Sequence, residues 1–213
     1  MREQVIKAIE EKKIIAIIRG AEPEQAGLAA KAIYDGGIKL VEVTFNQKAP
    51  ETFLQTVRAI KLIKENCPDM TVGAGTVLTI EQVELAKSAG AEFIVSPDTD
   101  EKVIKRTVEL DMASCPGAYT ATEAKVAYCA GADFVKLFPC TDAGYLKALR
   151  APLSHIKFLA VGGVNVDNVK DFLVSGAVGV GVGGALVNKK LLDNGEYEKI
   201  TETARRFVEN VKE

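Results

Sequence analysis

The chain alternates between short apolar runs and amphipathic stretches along its whole length, and this alternation restricts its possible folds more than any other feature. Eight runs have the length and the β-branched or aromatic content of buried strands, at residues 13–19, 38–44, 70–75, 91–96, 112–115, 133–137, 156–161 and 178–182. Between and after them the pattern predicts helices over residues 23–34, 50–64, 80–88, 100–109, 122–129, 143–149, 166–174 and 196–211. Continuous apolar strands separated by helices indicate a parallel sheet covered by helices.

A glycine recurs at the junction between helix and strand, in Asp35-Gly-Gly-Ile38, Ser88-Ala-Gly-Ala91, Cys129-Ala-Gly-Ala132 and Val174-Ser-Gly-Ala177. Glycine just past the last helical turn supplies a left-handed C-cap, so these junctions form a weak internal repeat. Eight such units predict the α/β class and a (β/α)8 TIM barrel, with an additional N-terminal helix over residues 1–13. We expect one domain over residues 1–213. A doubly wound open sheet is the alternative, but no G-x-G-x-x-G motif opens the first helix.

Composition argues against several classes of function. A net charge of -2 without a basic cluster disfavours nucleic acid or an anionic membrane as partner. No apolar stretch approaches the roughly 18 residues of a membrane span, and the charged N-terminus does not resemble a signal peptide. The four cysteines show no CxxC spacing and His155 is the only histidine, so we expect no metal and no cofactor. The cytoplasm is the expected compartment.

One lysine interrupts the apolar run before Pro139, namely Lys136. Burial penalises the ammonium form, so this lysine should have a lowered pKa and a larger fraction of free amine. A free amine attacks carbonyl groups and forms Schiff bases. The alternative is a lysine that extends its head to solvent or pairs with a buried carboxylate.

A carboxylate interrupts another strand, at Glu42 in Leu40-Val-Glu-Val43. Burial should raise its pKa to where it can transfer protons. The alternative is a structural ion pair with Lys136 or Arg19. In a barrel the catalytic residues collect at the carboxyl ends of the strands. An amine and a carboxyl group there are what the formation and dehydration of a carbinolamine require.

Other strand ends supply groups that suit a small anionic substrate. Arg19 and Thr76 are expected to bind a carboxylate through a guanidinium and a hydroxyl group. Gly162, Gly163, Gly183 and Gly184 leave backbone N–H groups unobstructed, and residues 185–188 are expected to form a short helix facing the same site, which predicts phosphate binding. The glycines could instead only permit tight turns. His155 precedes a strand, and Cys115 and Cys140 have no histidine partner, so none of the three is expected to be catalytic.

Together these residues resemble the class I aldolases of the KDPG/KHG family, which act on 2-keto-3-deoxy-6-phosphogluconate and 4-hydroxy-2-oxoglutarate. The resemblance covers nearly the whole chain and rests on these motifs: Glu42-Val-Thr44, Gly73-Ala-Gly-Thr-Val77, Ser96-Pro97, Pro116-Gly117, Thr120-Ala-Thr-Glu123, Val135-Lys-Leu-Phe-Pro139, Gly162-Gly-Val164 and Gly183-Gly-Ala-Leu186. It implies a Schiff base on Lys136, acid–base catalysis by Glu42 and carboxylate binding by Thr76. It also implies a homotrimer, no metal and a place in the Entner–Doudoroff pathway. Further substrate contacts are expected from Thr44, Asn46, Pro97 and Phe138.

Three positions depart from the family pattern. Asn46 stands near the place of an arginine found in some members, so Arg19 is expected to supply the carboxylate contact. Gly184 stands where many members have serine, which leaves only backbone N–H groups to bind phosphate. The usual Thr-Pro-Thr-Glu reads Thr120-Ala-Thr-Glu123.

The resemblance therefore implies cleavage of 2-keto-3-deoxy-6-phosphogluconate to pyruvate and glyceraldehyde 3-phosphate, of 4-hydroxy-2-oxoglutarate to pyruvate and glyoxylate, or of both. One alternative is an aldolase for an epimeric or unphosphorylated 2-oxo acid. Another is a phosphate-binding barrel without Schiff-base chemistry, either an isomerase or a non-catalytic binding protein.

Overall fold

A computed structural model describes residues 1–212, and in it the apolar runs form the strands of one parallel sheet. The strands are β1 (Ile14–Ile18), β2 (Leu40–Thr44), β3 (Thr71–Gly75), β4 (Phe93–Val95), β5 (Ala113–Cys115), β6 (Gly117–Ala118), β7 (Val135–Leu137), β8 (Phe158–Val161) and β9 (Gly179–Val182). Each predicted run contains one of these strands. Nearly every strand residue is buried, as expected where helices cover one face of a barrel and side chains fill its interior.

The sheet is a nearly closed barrel with the strand order β5-β4-β3-β2-β1-β9-β8-β7-β6. Its two edge strands are consecutive in the chain and separated only by Pro116. The fifth expected strand, at residues 112–115, is therefore followed by a second short strand that was not expected, and the sheet has nine strands instead of eight. Pro116 has no N–H to donate to a ladder. Its carbonyl still accepts a hydrogen bond of 2.8 Å from the Lys136 N–H, which joins the second short strand to β7. The predicted TIM barrel is confirmed.

The helices are α1 (Arg2–Lys12), α2 (Pro23–Asp35), α3 (Phe53–Asn66), α4 (Ile80–Ser88), α5 (Glu101–Glu109), α6 (Ala121–Cys129), α7 (Ala143–Arg150), α8 (Val169–Val174), α9 (Lys189–Asp193) and α10 (Tyr197–Lys212). A 3-10 turn, Pro50–Thr52, precedes α3. The predicted start of α8 at residue 166 is wrong. The Asn165 side chain accepts the N–H groups of Asp167 and Asn168 at 2.8 and 3.1 Å, and such local bonds compete with the helix. No helix of residues 1–212 is long and apolar enough to cross a membrane.

The repeated junction glycines have the predicted left-handed backbone. Gly37, Gly90, Gly131 and Gly176 have φ values of 98°, 89°, 104° and 102°. Each ends a helix whose next residues enter a strand, so the same turn directs the chain back to the sheet four times.

Helix α1 covers the N-terminal end of the barrel. Val5 and Ile9 are buried in one cluster with the barrel residues Leu40, Phe93 and Phe134. Arg2 anchors the helix by donating hydrogen bonds of 3.0 and 2.9 Å to the carboxylate of Asp133, beside β7. The opposite end of the barrel, where the carboxyl ends of the strands lie, is not covered by α1. Solvent-exposed loops surround it.

Candidate active site

Strand β7 places Lys136 in the wall of the barrel, with 5% of the residue exposed. Burial lowers the pKa of this ammonium group; the Glu42 carboxylate acts in the opposite direction, and the charge of Arg19 lowers the pKa further. The ammonium nitrogen lies 4.6 Å from the centre of the Phe138 ring. A larger fraction of Lys136 is therefore a free amine at a given pH than for a lysine in water.

Strand β2 places Glu42 in the same interior, with 2% of the residue exposed. Burial raises the pKa of its carboxyl group, while Lys136 and Arg19 act in the opposite direction. The neighbouring position on β3 must be small, because a β-carbon on Gly75 would lie 2.6 Å from Oε1 of Glu42 and 3.0 Å from the methyl carbon of Thr44. Thr44 is also buried, next to the carboxyl group.

Lys136 and Glu42 line one small void of about 10 Å³. Within residues 1–212, neither takes part in an ion pair with a nitrogen–oxygen distance of 4.0 Å or less, so the alternative of a close structural salt bridge is not what the fold contains. The amine and the carboxyl group influence each other's pKa without direct contact. In this arrangement the Lys136 amine can attack a carbonyl carbon while the Glu42 carboxyl group exchanges protons with the groups bound to that carbon.

A wider cavity of about 370 Å³ opens beside Lys136 at the carboxyl ends of the strands. It is lined by the predicted residues Arg19, Lys136, Phe138, Gly162, Gly163, Gly183 and Gly184, together with Ile17, Val161, Val164, Asn165, Gly181 and Ala185. The void next to Glu42 shares Ile17, Lys136, Val161 and Gly181 with this lining. The fold thus brings the amine, a guanidinium and both glycine pairs around one cavity.

The loop after β8 presents its backbone to this cavity. Gly162 and Gly163 have φ values of 102° and 81°, a conformation that side-chain-bearing residues rarely adopt. Asn168, which the sequence did not single out, donates a hydrogen bond of 2.9 Å to the Gly163 carbonyl and accepts the Asn165 N–H at 2.8 Å. These bonds fix the orientation of the loop's peptide groups.

The loop after β9 forms a turn where residues 185–188 were expected to be helical. The Gly183 carbonyl accepts the N–H groups of Leu186 and Val187 at 2.8 and 2.9 Å, and the helix that follows, α9, begins only at Lys189. That expectation is wrong, because Asn188 caps the later helix by accepting the Leu191 N–H at 3.1 Å. Any anion bound here would contact the turn itself.

Arg19, which lines the cavity, contacts Thr76. Nη2 of Arg19 donates a hydrogen bond of 3.2 Å to Oγ1 of Thr76. Thr76 follows β3 and has a φ value of 56°. The carbonyl of Thr76 accepts a hydrogen bond of 2.5 Å from the side chain of Gln47, a contact between residues far apart in sequence.

Four predicted contact residues do not line the cavity, namely Thr44, Asn46, Thr76 and Pro97. Asn46 is exposed, and its side-chain oxygen accepts the N–H of Lys48 at 3.1 Å, so the amide is used within its own loop. Pro97 packs its backbone on Gly117, where an added β-carbon would lie 2.3 Å from the Pro97 carbonyl. Within residues 1–212 there is no group of three or more His, Cys, Asp or Glu residues arranged to hold a metal ion.

Comparison with known proteins identifies the family. The profile of the KDPG and KHG aldolases matches residues 5–203. This chain belongs to the KDPG and KHG aldolase family.

Relatives within the family carry more than one substrate name. A 2-dehydro-3-deoxy-6-phosphogalactonate aldolase of Escherichia coli is 37% identical over 203 residues, which cover 94% of this chain and 95% of that protein. A 2-dehydro-3-deoxy-phosphogluconate aldolase of Haemophilus influenzae is 30% identical over 213 residues, covering 99% and 98%. A KDPG aldolase of Legionella pneumophila, solved with pyruvate captured as a covalent carbinolamine, has a TM-score of 0.79 and 28% identity over 91% of this chain and 92% of that one.

Proposed function

We propose that this member of the family is a class I aldolase that cleaves 2-keto-3-deoxy-6-phosphogluconate to pyruvate and glyceraldehyde 3-phosphate, or 4-hydroxy-2-oxoglutarate to pyruvate and glyoxylate, or both. The observation that carries the proposal is Lys136, a buried amine of lowered pKa in the barrel wall, with a buried carboxyl group of raised pKa nearby. The covalent pyruvate carbinolamine of the Legionella relative supports the same chemistry.

In the proposed mechanism the Lys136 amine attacks the C2 ketone and forms a carbinolamine. Glu42, in its acid form, protonates the departing hydroxyl group, and water leaves an iminium ion. The Glu42 carboxylate then takes the proton of the C4 hydroxyl, directly or through a water molecule. The C3–C4 bond breaks, its electrons move into the iminium group, and the aldehyde leaves an enamine.

Protonation of the enamine at C3 and hydrolysis of the imine release pyruvate and restore the amine. A raised pKa suits Glu42 to this sequence, because the group must donate a proton in one step and accept one in the next. A carboxyl group of ordinary pKa would remain ionised near neutral pH and would be a poorer acid.

The remaining predicted residues are proposed to bind the substrate. Arg19 and Thr76 would hold the carboxylate, with the guanidinium and the hydroxyl already in contact. The glycine pairs of the loops after β8 and β9, Gly162–Gly163 and Gly183–Gly184, would bind the phosphate through backbone N–H groups. The other proposed substrate contacts are Thr44, Asn46, Pro97 and Phe138. Of these only Phe138 lines the cavity, so contact with the other three requires a substrate that extends beyond the lining.

A second candidate substrate is 2-keto-3-deoxy-6-phosphogalactonate, which has the opposite configuration at C4. The Escherichia coli relative with this name has a higher percentage of identical residues, 37%, than the Haemophilus influenzae relative named for the gluconate compound, 30%. The imine chemistry would be the same for both compounds, since they share the C1–C3 portion. Comparing kcat/KM for the two epimers and for 4-hydroxy-2-oxoglutarate distinguishes these substrates.

The first test is reduction with borohydride in the presence of pyruvate, followed by mass mapping of the peptides. We expect a pyruvyl adduct on the peptide that carries Lys136, and its loss in Lys136→Met. Lys39→Met is the matched control, because burial also lowers the pKa of Lys39 but this lysine lies next to the amino end of β2. Folded wild-type protein that forms no adduct at saturating pyruvate would overturn the proposal in favour of a barrel without Schiff-base chemistry.

The homotrimer is likewise a proposal. Light scattering after size-exclusion chromatography gives the mass in solution, and a mass other than three chains would contradict it.

A further inference from the structure

Thr76 has a backbone conformation that its own side chain disfavours. Its φ value of 56° is left-handed, and a β-branched residue in that region is a genuine outlier. Such residues persist only where the surrounding structure imposes the conformation. Thr76 is also the residue whose hydroxyl accepts the hydrogen bond from Arg19, so whatever holds its backbone also places that hydroxyl.

Two glutamine side chains hold this backbone. Nε2 of Gln47, in the loop after β2, donates to the Thr76 carbonyl at 2.5 Å. Oε1 of the same amide accepts a hydrogen bond of 2.9 Å from Nε2 of Gln82, on α4. Gln47 thus bridges Thr76 and a helix on the outside of the barrel.

Gln82 is itself fixed in orientation. Only 1% of the residue is exposed, and its Oε1 accepts the Leu78 N–H at 2.7 Å. Because the Leu78 N–H requires an oxygen at that position, the amide nitrogen of Gln82 must face Gln47. The orientation of Gln82 determines that of Gln47, whose nitrogen must then face the Thr76 carbonyl.

The hydroxyl of Thr76 can use this placement to bind a carboxylate. Since Oγ1 accepts a hydrogen bond from Arg19, its own proton is available to a second acceptor. A carboxylate oxygen in contact with the guanidinium would lie beside that hydroxyl. A rotation of the Thr76 peptide would separate the two groups, although neither glutamine would touch the substrate.

We propose that Gln47 and Gln82 are positioning residues that set the carboxylate-binding geometry of Thr76 and Arg19, and thereby the preference of Lys136 for 2-oxo acids over ketones that lack a carboxylate. The inference rests on the proposed function, since it assumes imine formation at Lys136. The residues that determine the geometry of the site would then include Gln82 on α4, outside the barrel, as well as residues at the strand ends. The alternative is that the two amides only stabilise the fold.

Trapping with two ketones separates these roles. Pyruvate and acetone differ in the replacement of one methyl group by a carboxylate, so the ratio of their trapping rates at Lys136 measures carboxylate recognition. Gln82→Glu keeps the acceptor for Leu78 and removes the donor to Gln47. Gln47→Met removes the donor to Thr76 and leaves the Gln82–Leu78 hydrogen bond in place. It therefore tests the inference even if Gln82→Glu does not fold. Gln4→Met, at an exposed position on α1, is the control.

For both variants we expect the second-order rate constant of trapping with pyruvate to fall about fivefold to tenfold, the effect of losing one good hydrogen bond in the site. Trapping with acetone should stay within about twofold, as should both rates in the control. Steady-state cleavage should show the loss in KM more than in kcat, because the carboxylate is bound in substrate and transition state alike.

One result would overturn the inference alone: an unchanged ratio of pyruvate to acetone trapping in both variants, whether the two rates stay at the wild-type values or fall by the same factor. A wild-type protein that traps neither ketone at Lys136 would instead overturn the proposed function, and the inference with it. The wild-type reaction therefore distinguishes the two failures.

Discussion

Replacing Gly184 with serine tests whether the loop after β9 binds a phosphate group. A β-carbon at this exposed position meets no atom within 4 Å, and the φ value lies outside the left-handed region, so serine fits without strain. Gly184 lines the same cavity as Gly162 and Gly163, so a hydroxyl at this position would be close to a phosphate bound there. The variant adds one hydrogen-bond donor to the candidate phosphate site and removes nothing.

The expected gain is modest. A hydrogen bond to a charged group contributes about 1.5–3 kcal/mol when buried. Gly184 is exposed, and the serine loses rotational freedom on binding, so we expect about 1 kcal/mol, or about a fivefold rise in kcat/KM for the phosphorylated substrate. Gly184→Ala, which adds the β-carbon without the hydroxyl, should show no such rise.

The assay couples pyruvate release to lactate dehydrogenase and compares 2-keto-3-deoxy-6-phosphogluconate with 4-hydroxy-2-oxoglutarate, which has no phosphate. In Gly184→Ser, kcat/KM should rise only for the phosphorylated substrate. If both substrates improved equally, or if Gly184→Ala matched Gly184→Ser, the reasoning that places phosphate at this turn would be refuted.

Further results are expected for the pH dependence of trapping, for two glycine replacements and for the packing of α1. The rate of borohydride trapping with pyruvate should rise with pH and reach its plateau below pH 10.5, because burial lowers the pKa of Lys136. Glu42→Gln should move the start of the plateau to still lower pH, because the Glu42 carboxylate raises that pKa. A plateau at the same pH in both proteins would contradict this. Gly117→Ala places a β-carbon 2.3 Å from the Pro97 carbonyl and should lower the free energy of unfolding by about 1–3 kcal/mol in denaturant titrations. Gly27 lies on α2, where an added β-carbon would meet only Nδ2 of Asn66, at 3.9 Å. Gly27→Ala should therefore raise the free energy of unfolding by about 0.5–1 kcal/mol. A similar loss of stability in both glycine variants would argue against the steric explanation. Ile9→Ala, in the fully buried contact of α1, should cost about 2–4 kcal/mol of unfolding free energy at an unchanged KM, and a raised KM would show that α1 affects the site.

The strands and the two central groups of the site were predictable because their signals are local. An apolar run identifies a buried strand, and a single charged residue within such a run, as at Lys136 or Glu42, indicates a candidate functional group without further information. The order of the strands follows from the alternation with helices. These inferences needed no knowledge of which residues meet in space.

The rest depended on contacts that the sequence does not display. Pro116, which lacks an N–H, separates β5 from the unexpected short strand β6, and these two strands form the edges of the nearly closed barrel. The Asn188 side chain accepts the Leu191 N–H, so the helix after β9 begins at Lys189, later than expected. Gln82 lies 35 residues from Gln47, so their hydrogen bond leaves no periodic or local pattern to read.

The covering of the barrel by α1 has a consequence for the order of events in the proposed reaction. Ile9 is buried against the barrel interior, so substrate and products share the opening at the carboxyl ends of the strands. Lys136 is buried beneath that opening, whereas Gly184 lies exposed at its rim. In the proposed mechanism the aldehyde leaves first through this opening, because pyruvate is still covalently attached to Lys136. Pyruvate should then inhibit competitively against the substrate, and the aldehyde should give a mixed pattern.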